Sequence, residues 1–572
     1  MMQTNLKSIH PVLIKLLQKR GIVDAEAMAG FFSWELKDLP ELTKLHDLSK
    51  ASSRIVDAIE ANEEIGVYGD YDVDGTTSCA LLYHFFRMIG KDVSLSQPNR
   101  FVEGYGIHPS FIDTALEKKI SLIITVDCGI TAHETASYAR EKKCDLIITD
   151  HHRDDPDKPL PDACAVINPS RRDENPDSQL TAMAGVGVAF ALALGIKKEM
   201  EKRKKTCPSI YPLLQFVAVG TICDLAPLNP MNLKLTRHGL KQMTSSGYPG
   251  IKAFISKELR KLKMVPSEHI SFQMGPKINS KGRLDHPEKA LELLTTDDQQ
   301  IAWENCNHLE NCNNERKFIQ SEVYQEAKEA IEKKITNDNH IISVVYSPNW
   351  HEGVIGIVAS RLVEQYKVPA IIFTNSSEDG VIKASARTAG ELNIFKCLKD
   401  LSHLFIKFGG HKAAAGLSMK KENLAEFKDA IFKNLCKIPA IERTVIIDYD
   451  LELMPDEIVP SLLKNLELME PYGNQNQRPL FKMTGLKLAS YKILKEKHVR
   501  WDLHHEKDKG LNFKGISFNY IDSWECIHPS EIYDIQNREN ETLAILFNLT
   551  INRWNGNEYP QLQIKKIVLG AF

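Results

Sequence analysis

Several things are missing from this 572-residue chain, and each absence removes a class of protein. Its 11 cysteines are scattered and form no CxxC pair; the nearest two, Cys306 and Cys312, stand alone. That excludes a zinc ribbon or finger and argues for reduced thiols in a cytosolic protein rather than a disulfide framework. The longest apolar stretch, 184–196, is too short to span a bilayer, and the opening MMQTNLKSIHPVLIKLLQKR lacks the apolar core of a signal peptide. A soluble, cytoplasmic protein with no membrane partner is expected. There is also little net charge, −3 from 72 basic and 75 acidic residues. A near-neutral total does not decide for or against a nucleic-acid partner, because partners feel local fields. No internal repeat and no low-complexity segment interrupts the chain.

What remains is a globular composition, 43% hydrophobic and 26% charged, at a length suited to about three or four domains. Residues 1–50 read as short helices leading into a first domain. From 51 to about 240, strand-like runs IGVYG (65–69), LIITV (122–126) and DLIIT (145–149) alternate with helical stretches, which predicts a parallel sheet covered on both faces. Residues 296–335 carry Leu309, Cys312, Ile319, Val323, Ala327 and Ile331 at helical spacing with no Gly or Pro, predicting one long connecting helix. A second α/β lobe is expected over 336–438, and short β-type runs over 439–572 predict a small antiparallel barrel.

The chemistry concentrates in Gly69-Asp70-Tyr71-Asp72-Val73-Asp74-Gly75, three carboxylates in five residues at the end of a strand-like run. Unpaired, they would repel one another, and a divalent cation removes that cost. An EF-hand is excluded by the strand-loop-helix context and by the missing glutamate at the twelfth position. This run alone leaves a metal site and an acidic surface turn both open. The next two strand-like runs end in Asp127-Cys128-Gly129 and Asp150-His151-His152, and Asp224 in GTICDLAPL is a fourth candidate. Acids and imidazoles gathered at the same strand ends, where ligands bind open α/β sheets, point to one or two Mn²⁺ or Mg²⁺ ions.

GDYDVDG, VDCG, TDHH and GTICD resemble, in order and spacing, motifs one to four of the DHH phosphoesterase superfamily. The resemblance implies two-metal phosphoester hydrolysis. It makes Asp72, Asp74, Asp127, His151 and Asp224 metal ligands, with Asp127 bridging the two cations. It also places Asp70 and Asp150 behind the ligands, and His152 either toward the substrate phosphate or in support of the neighbouring ligand. Tyr68 stands where many members carry a ligating histidine.

Downstream, MGPKINSKGRLDHPEKAL (274–291), WHEGVIGIVASRL (350–362), ASART (384–388) and FGGHKAAAGLSM (408–419) resemble the RecJ family within that superfamily. There the second lobe is a DHHA1 domain and the barrel an OB-fold. The residues implied to bind nucleic-acid phosphate are Lys277, Arg283, Ser385, Arg387, Gly409, Gly410 and His411. PYGNQNQRPLF (471–481) is similar to the PFGxGNPEPxF segment of that family, from which Gln475 to Arg478 depart. Tyr491, Lys492, Arg500, Trp501 and Phe518 are candidates for stacking on or neutralising a single strand. The implied activity is 5′-to-3′ exonuclease action on single-stranded DNA in recombination and repair. A helicase or single-strand-binding protein is the implied partner. Two other readings stand beside it: a DHH phosphodiesterase for short RNA or dinucleotides, which the extra C-terminal residues disfavour, and a non-catalytic replication scaffold, which the intact acids of motifs one to four disfavour.

Overall fold

Every residue of 65–69, 122–126 and 146–149 is buried, which requires a sheet covered on both faces. The computed structural model describes residues 9–98, 106–284, 288–333, 340–443, 445, 448–523, 526–554 and 557–570; at 281–284, 508, 509, 553, 554 and 557 it describes the backbone only. The chain divides into two units. The first is mainly Arg20–Asn313 with Asn465–Arg478; the second is His10–Lys19, Asn314–Lys464 and Pro479–Phe572. The passage from one to the other falls inside the 34-residue helix Gln299–Glu332.

The first unit holds a sheet of five parallel strands: β1 (Glu64–Gly69), β2 (Ser94–Ser96), β3 (Ile120–Val126), β4 (Asp145–Thr149) and β5 (Ala165–Ile167), in the order β2-β1-β3-β4-β5. Side chains alternate across it. Ile65, Val67, Leu122, Ile124 and Val126 face a core shared with helices Val73–Met88, Gly185–Lys202 and Leu214–Cys223. Tyr68, Ile123 and Ile148 face a second core with Ile112 and Ala136. The chain leaves β1 toward β2 and returns on its other side to β3, so the strand order reverses between β1 and β3. In open parallel sheets such a switch point is where ligands bind.

A distant segment completes this unit. Arg237, on helix Pro230–Met243, is wholly buried. Its guanidinium donates to the carbonyls of Phe31 (2.6 Å), Glu470 (2.8 Å) and Leu468 (3.1 Å) and lies over the Phe31 ring. Burial pushes its pKa down to about 10.

The second unit contains a five-stranded sheet and a barrel. The sheet comprises β6 (Ser343–Tyr346), β7 (Ala370–Asn375), β8 (Val381–Arg387), β9 (Phe405–Gly410) and β10 (Ala414–Lys420) in the order β6-β7-β8-β10-β9, with only β6 and β7 parallel. Helix Glu352–Tyr366 packs on one face with Val323, Tyr324, Ala327 and Ile331 of the long helix, and helix Leu424–Cys436 covers the other. The short β11 (Leu451–Glu452) pairs with β12 at the edge of the barrel. The barrel comprises β12 (Phe481–Leu494), β13 (His498–His505), β14 (Asp508–Ser517), β15 (Leu543–Trp554) and β16 (Asn557–Leu569), and it closes through β12–β15 pairing. Contrary to the wholly antiparallel expectation, β14 and β16 run parallel. Five strands in a closed ring cannot alternate direction at every step, so at least one pair must be parallel. Among the described residues, no helix is long and apolar enough to cross a membrane.

Replacing Arg237 by methionine keeps the apolar stem but leaves three partly buried carbonyls without their donor. The expected loss is about 3 kcal/mol, seen as a fall of several degrees in the first thermal transition. An unchanged transition would show that the guanidinium does not hold 468–470 against 31.

Candidate active site

Each acid of the predicted cluster sits where a strand or helix ends. After β1 the chain turns through Asp70 and Tyr71 to Asp72, which caps helix Val73–Met88 by accepting from Gly75 N–H at 3.0 Å. Asp74 lies in the first turn, where a carboxylate meets the positive end of the helix dipole. A Cβ on Gly75 would stand 2.3 Å from the Asp70 carbonyl oxygen, so this turn demands glycine. Asp127 follows β3 with a left-handed φ of 60°, and Asp150, His151 and His152 follow β4. Asp224 comes from elsewhere in the fold, at the C-terminal cap of helix Leu214–Cys223.

These groups converge. His151 Nε2 lies 3.1 Å from Asp127 Oδ1, 3.8 Å from Asp74 Oδ2 and 3.9 Å from Asp224 Oδ2. Three sets of donor atoms each lie within 4.8 Å of one another: Asp127 with His151 and His152, Asp74 with His151 and Asp224, and Asp70 with Asp72 and Asp127. Backbone amides hold the carboxylates in place. Asp74 accepts from Gly185 N–H (2.6 Å) and Val186 N–H (3.0 Å) at the start of helix Gly185–Lys202. Asp150 accepts from the N–H groups of His151 (2.7 Å), His152 (3.1 Å) and Ile130 (2.9 Å), and its Oδ1 is 2.7 Å from His152 Nδ1.

The electrostatics separate Asp150 from the rest. Burial, then the neighbouring carboxylates, push Asp70 up to about 8 and hold Asp74 and Asp127 well above the usual range. The same causes raise Asp224 to about 7. Burial also acts on Asp150, but its hydrogen bond and charge contact with His152 pull it below the usual range. His152 is correspondingly raised to about 9, its partner Asp150 outweighing burial, while burial and His152 depress His151 to about 4. A neutral His151 is a ligand rather than a counter-ion.

Four buried, mutually repelling carboxylates and an imidazole are costly without a cation. Asp70 Oδ1 and His151 Nε2 are buried and make no hydrogen bond among the described residues. The donors are carboxylate oxygens and imidazole nitrogens without thiolate, a set that fits Mn²⁺ or Mg²⁺. Tyr68 stays outside the cluster: its ring packs on Phe111 at 4.5 Å and its hydroxyl donates to the Gly106 carbonyl at 3.1 Å.

Two glycines of this site carry no chemical signature in the sequence. A Cβ on Gly185 would stand 2.7 Å from Asp127 Cβ, and one on Gly220 would stand 2.6 Å from Asp74 Oδ1. Gln97, unmarked by any motif, donates to the Asp70 carbonyl at 2.6 Å. Gly220 lies inside the GTICD run, and the hint for Gly185 is the run of small residues around 184–187.

Lys277 is half-buried and ion-paired with Glu310, so reaching a phosphate would mean breaking that pair. The side chain of Arg283 lies outside the described residues. In the second unit, Gly416 of β10 sits in register between Ser385 of β8 and Gly409 of β9. Arg387 ends β8, paired with Ala414, and Gly356 has no side chain where Arg387 Nη2 and Ser385 Oγ need room. Gly410 is demanded by the fold itself, since its φ is 148° and a Cβ would stand 2.4 Å from the Ala414 carbonyl oxygen. Gly409 meets nothing within 4 Å, and His411 is exposed. In the barrel, Phe518 is exposed, as are Lys492 and Arg500. Trp501 is wholly buried, its Nε1 donating to Ser517 Oγ at 2.9 Å, so it is core and not a stacking surface.

The family model of the DHH family, N-terminal domain, matches residues 64–221; that of the DHHA1 domain matches 337–436, and that of the RecJ OB domain 449–566. These matches define the class, a DHH protein with a DHHA1 lobe and an OB barrel. Among curated relatives, the single-stranded-DNA-specific exonuclease RecJ of Escherichia coli is 31% identical, over 98% of this chain and 96% of its own length. That of Bacillus subtilis is 30% identical, over 97% of this chain and 68% of its own length. The crystal structure of RecJ from Thermus thermophilus in complex with Mn²⁺ superposes with a TM-score of 0.79 at 26% identity, covering 98% of this chain and 76% of that one. The chain belongs to the RecJ family.

Gly185→Ala is expected to push Asp127 off its position and weaken Mn²⁺ binding about tenfold or more, because a sub-van-der-Waals contact must be relieved by moving a ligand. Gly30→Ala, with open space around it, is the control and should bind metal normally. Calorimetric titration of Mn²⁺ separates the two, and equal affinities would overturn the argument.

Proposed function

We propose that this protein is a metal-dependent exonuclease that hydrolyses phosphodiester bonds of single-stranded DNA, working 5′ to 3′. The observation that carries this reading is the convergence of Asp72, Asp74, Asp127, His151 and Asp224 on the switch point of a parallel sheet. It occurs in a chain 31% identical to a single-stranded-DNA-specific exonuclease. Those five residues would hold two divalent cations, Mn²⁺ or Mg²⁺. Bound there, the cations supply charge stabilisation for displacement at phosphorus.

The chain's own groups then divide the remaining work. Asp150 orients the His152 ring, whose Nδ1 lies 2.7 Å from the Asp150 Oδ1, so that the ring faces a phosphate oxygen. The amides of Gly185 and Val186 fix Asp74 before substrate arrives. Ser385, Arg387, Gly409, Gly410 and His411 bind the phosphates of the strand end. The bare backbone at Gly409 lets a phosphate approach closely, and Arg387 offers a bidentate fork. Lys277 and Arg283 add phosphate contacts. The barrel, with exposed Phe518 and Arg500, holds the strand farther along.

On this reading 1–50 is a lead-in, 51–295 the catalytic domain, 296–335 the connecting helix, 336–438 the DHHA1 domain and 439–572 the OB-type domain. The family reading also places the enzyme in the cytoplasm, beside a helicase or single-strand-binding protein.

Asp127→Ala is expected to abolish hydrolysis with the fold intact, and EDTA should do the same to the unaltered chain. Arg387→Ala should lower kcat/KM about 10²-fold with unchanged Mn²⁺ affinity, as loss of a charge-assisted positioning contact predicts. Product sizes from 5′- and 3′-labelled single strands, duplex and RNA measure both effects and the polarity. Undiminished turnover by Asp127→Ala would sink the metal assignment, and shortening of RNA in preference to DNA would sink the substrate.

A further inference from the structure

Helix Leu214–Cys223 ends in a way that bears directly on Asp224. The N–H of Ala226 donates to the Thr221 carbonyl (3.1 Å) and that of Leu225 to the Ile222 carbonyl (3.3 Å), the paired bonds of a Schellman closure. That closure needs a left-handed residue just past the cap, a place glycine normally fills. Here it is Leu225, with φ 58°, whose side chain is largely exposed and so gains little packing in return. A strained backbone persists only where its surroundings over-determine it.

The surroundings come from 249 positions away. Asn474 Nδ2 donates to the Leu225 carbonyl at 2.8 Å, and the Leu228 N–H donates to the Asn474 carbonyl at 2.9 Å. One residue thus grips the loop at the strained position and again three residues beyond it. Its own loop is rigid. Gly473 and Asn476 bond reciprocally at 3.0 and 3.1 Å, and the buried Asn476 amide donates to the carbonyls of Met469 and Pro471 at 2.8 Å each. A Cβ on Gly473 would stand 2.8 Å from Leu228 Cδ1, so the two loops are in close contact. Tyr472 N–H donates to Ser267 Oγ at 3.1 Å, Arg478 pairs with Glu268 and Glu470 at 3.0 Å, and Arg237 holds the carbonyls of 468 and 470.

We infer that Asn474 is a positioning residue for the metal centre: it keeps Leu225 left-handed so that the Asp224 carboxylate stays turned toward His151 and Asp74. The inference rests on the reading of Asp224 as a metal ligand and adds to it where the ligand's geometry is set. Asn474 contributes no atom to the sets of candidate metal donors. Its effect passes through one backbone torsion, and glycine at 225 would adopt that torsion without help.

The experiment uses the full chain stripped with EDTA, and reads Mn²⁺ affinity by calorimetry and by the electron paramagnetic resonance of free Mn²⁺. Asn474→Ala is expected to weaken Mn²⁺ binding about fivefold, the scale of one lost hydrogen bond, with metal-free affinity for single-stranded DNA unchanged. Leu225→Gly alone should bind Mn²⁺ like the unaltered chain, and adding it to Asn474→Ala should restore the lost affinity. A general structural role for Asn474 would not be rescued by a glycine at 225. Unaltered affinity in Asn474→Ala, or a double variant as weak as the single one, overturns the inference. Asp224→Asn distinguishes the two levels. If it too leaves Mn²⁺ affinity unchanged, the ligand assignment has failed; if it weakens binding while Asn474→Ala does not, only the brace has failed.

Discussion

The first unit is organised around one electrostatic problem: Asp70, Asp74, Asp127 and Asp150 are all buried within a few ångströms at one end of a parallel sheet. Asp150 is settled within the protein by amide donors and the His152 ring. Asp74 is only partly settled by the start of helix Gly185–Lys202. Asp70, Asp127 and Asp224 remain raised, so the fold stores unfavourable charge that a cation relieves. Metal binding and stability are therefore linked, and the loaded protein is the more stable one.

The same constraint dictates what surrounds the site. Backbone must come close to the aspartates without side chains intervening: Gly185 and Gly220 meet that need against the side chains of Asp127 and Asp74, and Gly75 against the backbone of Asp70. Helix N-termini are aimed at Asp72 and Asp74, where their dipoles help, while Asp224 sits at a C-terminal cap, where the dipole opposes it. A carboxylate placed against the dipole must be held by something else, and the Asn465–Arg478 segment supplies it. In the second unit the glycines divide differently: Gly410 answers to the hairpin, and Gly409 is left bare by the fold.

Much of this is legible in the residues alone. Alternating strand-like runs reveal the parallel sheet because its strands are buried on both faces and need continuous apolar sequence. Asp70 to Asp74, Asp127 and Asp150 to His152 are legible because each immediately follows such a run, and a strand's end fixes where the next residue lies. β13 (498–505) alternates strictly as HVRWDLHH, but which of its faces turns inward is hidden: its tryptophan, a candidate stacking surface by residue type, is the barrel's core. Strand direction within the barrel is hidden as well, since pairing partners are set by ring closure and not by local pattern.

By itself, then, the sequence determined the class of sheet, the acids and imidazoles at its strand ends and the kind of metal they suit, because period, chemistry and chain order are local properties. The tertiary structure alone decided which acids face one another and which is neutralised internally. It decided that Tyr68 turns to Phe111 on the opposite face, and that residues 465–478 return to brace a loop 249 positions earlier. Those outcomes depend on long-range packing and on the field each buried charge feels from its neighbours, and neither quantity is defined until the chain has folded.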